Sequence, residues 1–135
     1  PTAAQIAAVE ADVNAAIDRA SAEVRLDAPA TFVGVAGTVT TVAAIALGLD
    51  RYDADAIHGA VIGTGLILDV TDRLLRLTRE ERAAIAVMHP GRVDVIGAGA
   101  LVLRTLLVRA GAAEIVASEH DILDGIALSL LGSAG

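Results

Sequence analysis

The 135-residue chain has no cysteine, no lysine and no tryptophan, and its only aromatic residues are Phe32 and Tyr52. Without cysteine there is no disulfide framework, no thiolate nucleophile and no cysteine-ligated metal. All ten basic residues are arginine, which excludes a P-loop lysine and a lysine Schiff base. Two aromatic residues cannot build a base-stacking platform, and a net charge of −7 opposes nucleic-acid binding through bulk electrostatics. No basic region followed by an apolar one opens the chain, so nothing reads as a signal peptide and a cytoplasmic location is expected.

Hydrophobic content is high, at 55% with a mean hydropathy of +0.65, so a membrane span has to be weighed. Residues 28–49 carry no charge and are numerous enough to cross a bilayer. Yet this run contains Pro29, three glycines and four threonines, changes period midway and has neither a basic flank nor an aromatic belt. It reads better as a buried strand followed by a buried helix. The length suits one domain or part of one.

Residues 31–48 are the centre of that reading. β-Branched and aromatic residues run to Val35, small residues follow at Ala36 and Gly37, and Val39, Val42, Ala43 and Ala46 then recur with helical spacing. A strand, a glycine turn and a helix start are expected. Such a junction presents backbone N–H groups and small hydroxyls where α/β proteins bind phosphate or nucleotide. A tight turn needs glycine with or without a ligand, so the structural alternative stays open.

Before this junction, Ile6, Val9, Val13, Ile17 and Val24 follow one helical face, and Thr2 with Gln5 forms a capping box. Pro29 closes that helix. After it, residues 50–58 read as a polar turn or loop, and a long helix is expected over about 56–77, weakened by Gly59, Gly63 and Gly65. Thr78 and Glu81 form a second capping box for a short helix reaching about Val87, broken by His89-Pro90-Gly91. Residues 92–109 fit either a brief strand and then a helix, or one helix from Arg92. Residues 114–118 have the form of a buried strand. Ser118 with Asp121 resembles a helix start, and residues 122–131 make a last helix that is apolar nearly all round.

Three strings, Gly34-Val-Ala-Gly-Thr-Val-Thr-Thr41, Arg92-Val-Asp-Val-Ile-Gly-Ala-Gly-Ala-Leu101 and Ser118-Glu-His-Asp-Ile-Leu-Asp-Gly-Ile-Ala127, resemble in order and separation the C-terminal half of the exopolyphosphatase/guanosine pentaphosphate phosphohydrolase (Ppx/GppA) family. Leu77-Thr-Arg-Glu-Glu-Arg82 and Met88-His-Pro-Gly-Arg92 fit it as well. The resemblance implies an α/β, helix-rich fold with few short strands, part of a ribonuclease-H-like domain of the actin, sugar-kinase and heat-shock-chaperone superfamily. Residues 1–135 would be a single domain or fragment, the C-terminal part of the second family domain, with Pro1 an internal cut point. The family's phosphate motifs and its water-activating glutamate precede the region matched, so no catalytic residue is expected in this chain. The resemblance also favours the uninterrupted helix from Arg92. It likens residues 31–48 to the superfamily's adenosine motif and residues 118–127 to its second connecting motif, a helix that meets the partner domain. Where many relatives have Arg-Glu-Gly, this chain has Leu123-Asp124-Gly125, so no basic role is carried over there.

Gly34, Gly37, Thr38, Thr40 and Thr41 are therefore candidate phosphate or nucleotide contacts, joined by Arg92, whose guanidinium is a bidentate fork for phosphate. Asp94, Ser118 and Gly125 are expected to be structural at the cleft, and an Arg92–Asp94 pair pinning the helix is an equal alternative for the arginine. His58, His89 and His120 are spaced 31 residues apart, unlike short-spaced zinc ligands, and no metal site is expected. Glu119, His120, Asp121 and Asp124 crowd a helix start, where carboxylates suit the dipole.

The parent enzyme implied by the resemblance releases orthophosphate from inorganic polyphosphate with Mg2+, or acts on guanosine pentaphosphate. This chain alone would be inactive, with no cofactor, nucleic acid or membrane as partner. A noncatalytic interaction domain that self-associates through its apolar helices is the alternative.

Overall fold

The computed structural model describes residues 1–25 and 31–132. The proline break expected at Pro29 lies outside them. Three short strands form the sheet: β1 (Val33–Gly34), β2 (Val61–Gly63) and β3 (Glu114–Ala117). Their order is β1-β3-β2, with β3 parallel to β1 and antiparallel to β2, so that Val116 lies opposite both Val33 and Val61. The alternation of a strand sends Ile62, Ile115 and Ala117 into the core.

Around the sheet stand α1 (Ala3–Ser21), α2 (Ala36–Ala46), α3 (Ala54–Ile57), α4 (Thr64–Arg76), α5 (Arg79–Ala83), α6 (Ile96–Arg109) and α7 (Ile122–Gly132). Both expected capping boxes form: Thr2 with Gln5 opens α1, and Thr78 with Glu81 opens α5. α2, α4 and α6 supply most of the core through Val42 and Ala44, Ile67 and Leu74, and Ile96 and Leu107. α1 packs on α6, where Arg104 donates to Glu10 at 2.7 Å and to Asp72 at 2.6 Å. The described part of the uncharged run holds a strand and an eleven-residue helix, and no helix among the described residues is long and apolar enough to cross a membrane.

The expected helix over 56–77 is corrected. It divides into the end of α3, the strand β2 and the helix α4. The glycines that would weaken one helix in fact separate three elements. Gly59 takes φ +78 just past α3, a left-handed conformation that glycine adopts without Cβ strain, and Gly63 ends β2 and caps α4. The uninterrupted helix from Arg92 is corrected too. Pro90–Arg92 forms a 3-10 turn, and bonds from Arg92 N to His89 O and Val95 N to Arg92 O keep the chain in tight turns, so α6 starts only at Ile96.

α7 matches its expected position but has no cover among the described residues. Asp121 accepts from Leu123 N, and Asp124 accepts from Asp121 N, each at 2.8 Å. This reciprocal cap starts the helix, three residues beyond the expected Ser118. Ile122, Leu123, Ile126, Leu128, Leu130 and Leu131 are then exposed by 51% to 76%.

Candidate functional site

The site begins where β1 passes into α2. Ala36, the first residue of α2, has φ +67, the left-handed region that costs an L-residue with a Cβ roughly 1–2 kcal/mol. The turn expected from glycine is therefore made by an alanine. The flanking glycines serve close approach. A Cβ on Gly34 would lie 2.5 Å from Ile115 Cδ1, and one on Gly37 would collide with the Arg92 guanidinium. Gly37 thus leaves room for a guanidinium to lie against the first turn of α2. Val35, the N-cap, offers no capping side chain, and the first N–H groups of a helix have no partner within it.

Arg92 comes from the 3-10 turn and donates from Nη1 to Thr41 Oγ1 at 2.7 Å. It forms no salt bridge among the described residues. Asp94, the partner that the pairing alternative required, accepts instead from Arg79 Nε at 2.8 Å. The tight turns between residues 92 and 95 send these two side chains to different neighbours. Arg92 is consequently a half-buried cation, hydrogen-bonded to a hydroxyl and without a carboxylate partner among the described residues.

Tyr52 stands beside it. Its hydroxyl oxygen is 2.7 Å from Thr40 Oγ1 and 2.7 Å from Glu119 Oε1. A carboxylate can only accept, so the phenol proton lies toward Glu119 and the Thr40 hydroxyl supplies the other bond. Burial raises the phenol's pKa above its ordinary value. The Thr40 hydrogen bond opposes that rise, Glu119 adds to it by hydrogen bonding and by charge, and the Arg92 guanidinium opposes it. Tyr52, Val87, Met88, Pro90, Arg92 and Glu119 line an open cavity of about 560 Å³.

The other expected site residues fall in different places. Thr40 and Thr41 are buried and their hydroxyls are committed to Tyr52 and Arg92, so they support the cavity rather than line it. Thr38 packs on α6, where a Cβ on Gly99 would approach its Oγ1 to 2.7 Å. Ser118 extends the β1–β3 ladder by donating from its N–H to Gly34 O at 2.8 Å, and its Oγ accepts from His120 N. Gly125 sits in α7 with no atom within 4 Å of a Cβ there. His58 and His120 meet, with ring centroids 4.5 Å apart, while His89 caps the 3-10 turn. No group of three or more His, Cys, Asp or Glu side chains that could hold a metal occurs among the described residues.

Sequence reasoning missed Tyr52. It lies in the segment read as a polar loop, and the one available signal was that it is the sole tyrosine of the chain.

Comparison with known proteins bears on the family and the fold. The family model described as the Ppx/GppA phosphatase family matches residues 1–134. Exopolyphosphatase 2 of Mycobacterium tuberculosis is 46% identical over 136 aligned residues, which cover 98% of this chain and 43% of that protein. The chain thus spans less than half the length of this curated relative. A crystal structure of an exopolyphosphatase-like protein superposes with a TM-score of 0.91 at 41% identity, over 95% of this chain and 43% of that one. An Aquifex aeolicus Ppx/GppA family member shares the fold, with a TM-score of 0.88 at 23% identity over 100% of this chain and 43% of that one. The helix-rich α/β domain with its small three-stranded sheet is consistent with the actin-like, ribonuclease-H-like fold expected from the sequence. This chain belongs to the Ppx/GppA phosphatase family.

Proposed function

We propose that this chain is the C-terminal part of the second domain of a cytoplasmic exopolyphosphatase and forms one wall of its cleft. The whole enzyme would release terminal orthophosphate from inorganic polyphosphate. The observation that carries the reading is Arg92, a guanidinium without a carboxylate partner among the described residues, set against Gly37 at the start of α2. Phosphate oxygens arriving there meet a bidentate cation and the unbonded N–H groups of a helix N-terminus, two devices that stabilise negative charge in phosphoryl transfer. Gly37 and Arg92 are the proposed contacts. Gly34, Thr40 and Thr41 hold them in place, and Thr38 sets the spacing of α2 from α6. The likeness to Exopolyphosphatase 2 supports the substrate class.

The test is Arg92→Gln in the longer protein. Its KM for polyphosphate should rise about tenfold, the loss expected for one charge-assisted contact, and an unchanged KM would remove Arg92 from the site. The 135-residue chain by itself should release no orthophosphate, and robust release would overturn the assignment. Parallel assays with guanosine pentaphosphate decide between the two substrates.

One observation favours a second reading, that of an interaction module: the exposure of α7. Sedimentation at several concentrations separates the two, because a strictly monomeric chain argues against association through that helix.

A further inference from the structure

The cation of the site has a competitor within the same cavity. Arg92 and Glu119 both line it, and both act on the phenol oxygen of Tyr52. A carboxylate and a guanidinium so placed would ordinarily pair, because opposite charges a few ångströms apart attract even near the surface. They do not pair here. Glu119 Oε1 is instead bonded to the Tyr52 hydroxyl, and its backbone N–H donates to His58 Nδ1 at 3.3 Å. Tyr52 and His58 flank α3, so one corner of the chain grips this residue by side chain and by backbone. On the other side, Thr40 anchors the phenol to α2, and Thr41 on the next position anchors Arg92.

We propose that Tyr52 is a positioning residue whose hydroxyl holds the Glu119 carboxylate off Arg92, leaving the guanidinium uncompensated and open to phosphate. This rests on the reading of Arg92 as a phosphate contact and adds the device that keeps it available. Without the phenol, Glu119 turns to Arg92 and becomes an internal mimic of the anion, and a phosphate must then displace it. The arrangement also accounts for an acidic residue beside an anion site: its charge is directed at a phenol, not at the ligand's cation.

The experiment is a double-mutant cycle on the 135-residue chain with Tyr52→Phe, Glu119→Gln and both together, titrated with sodium tripolyphosphate by calorimetry. Tyr52→Phe should weaken binding about fivefold, the scale of one partly exposed ion pair to be broken, and Glu119→Gln in that background should restore it. With Tyr52 present, Glu119→Gln should change affinity by less than about twofold, because the carboxylate is already restrained. Equal effects of Glu119→Gln in the two backgrounds would overturn the proposal. A second readout needs no ligand. The Arg92 Nε–Hε NMR signal should move in Tyr52→Phe and return in the double variant, and a signal that ignores Tyr52→Phe sinks the idea by itself. The two readings fail separately: if Arg92→Gln leaves tripolyphosphate binding intact, Arg92 is no phosphate contact, while the NMR arm still decides whether Tyr52 restrains Glu119.

Discussion

α2 and α7 are alike in length and in their place after a strand, and opposite in surroundings. Each follows a strand of the parallel β1–β3 pair, each has eleven residues, and neither has a basic residue in its last turn. α2 is built of Ala, Gly, Thr and Val with one Ile, and six consecutive residues from Thr40 to Ile45 are buried. α7 carries Leu and Ile on several sides and exposes all six large ones. Small residues let α2 approach α6 and the sheet closely enough for both to cover it. Bulky residues all round need cover from several directions, and the described residues offer α7 none. Apolar sequence therefore identifies a helix that wants burial, but not what buries it.

The largest expected break in this contrast comes from truncating matched side chains. Ile45→Ala in α2 should cost about 2–4 kcal/mol in chemical denaturation, because it leaves a cavity in the hydrophobic core. Leu128→Ala in α7 should cost under about 0.5 kcal/mol, as an exposed change away from special features does. Similar losses would mean that α7 is packed after all.

The glycines give a smaller and sharper contrast. Gly34→Ala, at the entry to α2, puts a Cβ against Ile115 and Val39 and should destabilise the chain by about 1–3 kcal/mol through overpacking. Gly125→Ala, inside α7, meets nothing and should strengthen that helix by roughly 0.5–1 kcal/mol. Slowed amide exchange confined to α7 is the sign of the second, and a loss of stability there would contradict its exposure.

The smallest effect reports on the joint between the two helices, where Tyr52 bonds Thr40 of α2 and Glu119 just before α7. The folded chain holds the phenol proton more tightly than the unfolded chain. Its contribution is therefore complete below the ordinary tyrosine value of about 10 and is lost as pH rises through the higher folded value. Because Tyr52 is the only tyrosine, absorbance of its phenolate follows this one group. Glu119→Gln should lower the midpoint and Arg92→Gln should raise it, in line with the two opposing influences on the phenol. A midpoint that neither variant moves would separate Tyr52 from both.

Local chemistry was legible in the residues. The boxes of Thr2 with Gln5 and Thr78 with Glu81 depend on groups three positions apart, and both form as expected. The β1–α2 junction and β3 were readable from a change of period and from a short apolar run. β2 was not, since three residues become a strand only by pairing with β3 about fifty positions later. The site divides in the same way. Gly37 and Arg92 were legible as residue types suited to phosphate, whereas the partners of Arg92 and Asp94 were set by a turn whose i to i+3 bonds no periodicity displays.

The sequence by itself determined the family, through three strings that resemble its motifs in order and separation, and the helix-rich α/β character and the glycine-flanked start of α2, through composition and near-neighbour spacing. Only the tertiary structure decided that Arg92 escapes Asp94, that Thr40 and Thr41 face inward, and that Tyr52 meets Glu119 across 67 residues. The physical reason is that hydrogen bonds and charge pairs act over a few ångströms, and proximity at that scale between distant residues exists only once the sheet and helices have packed.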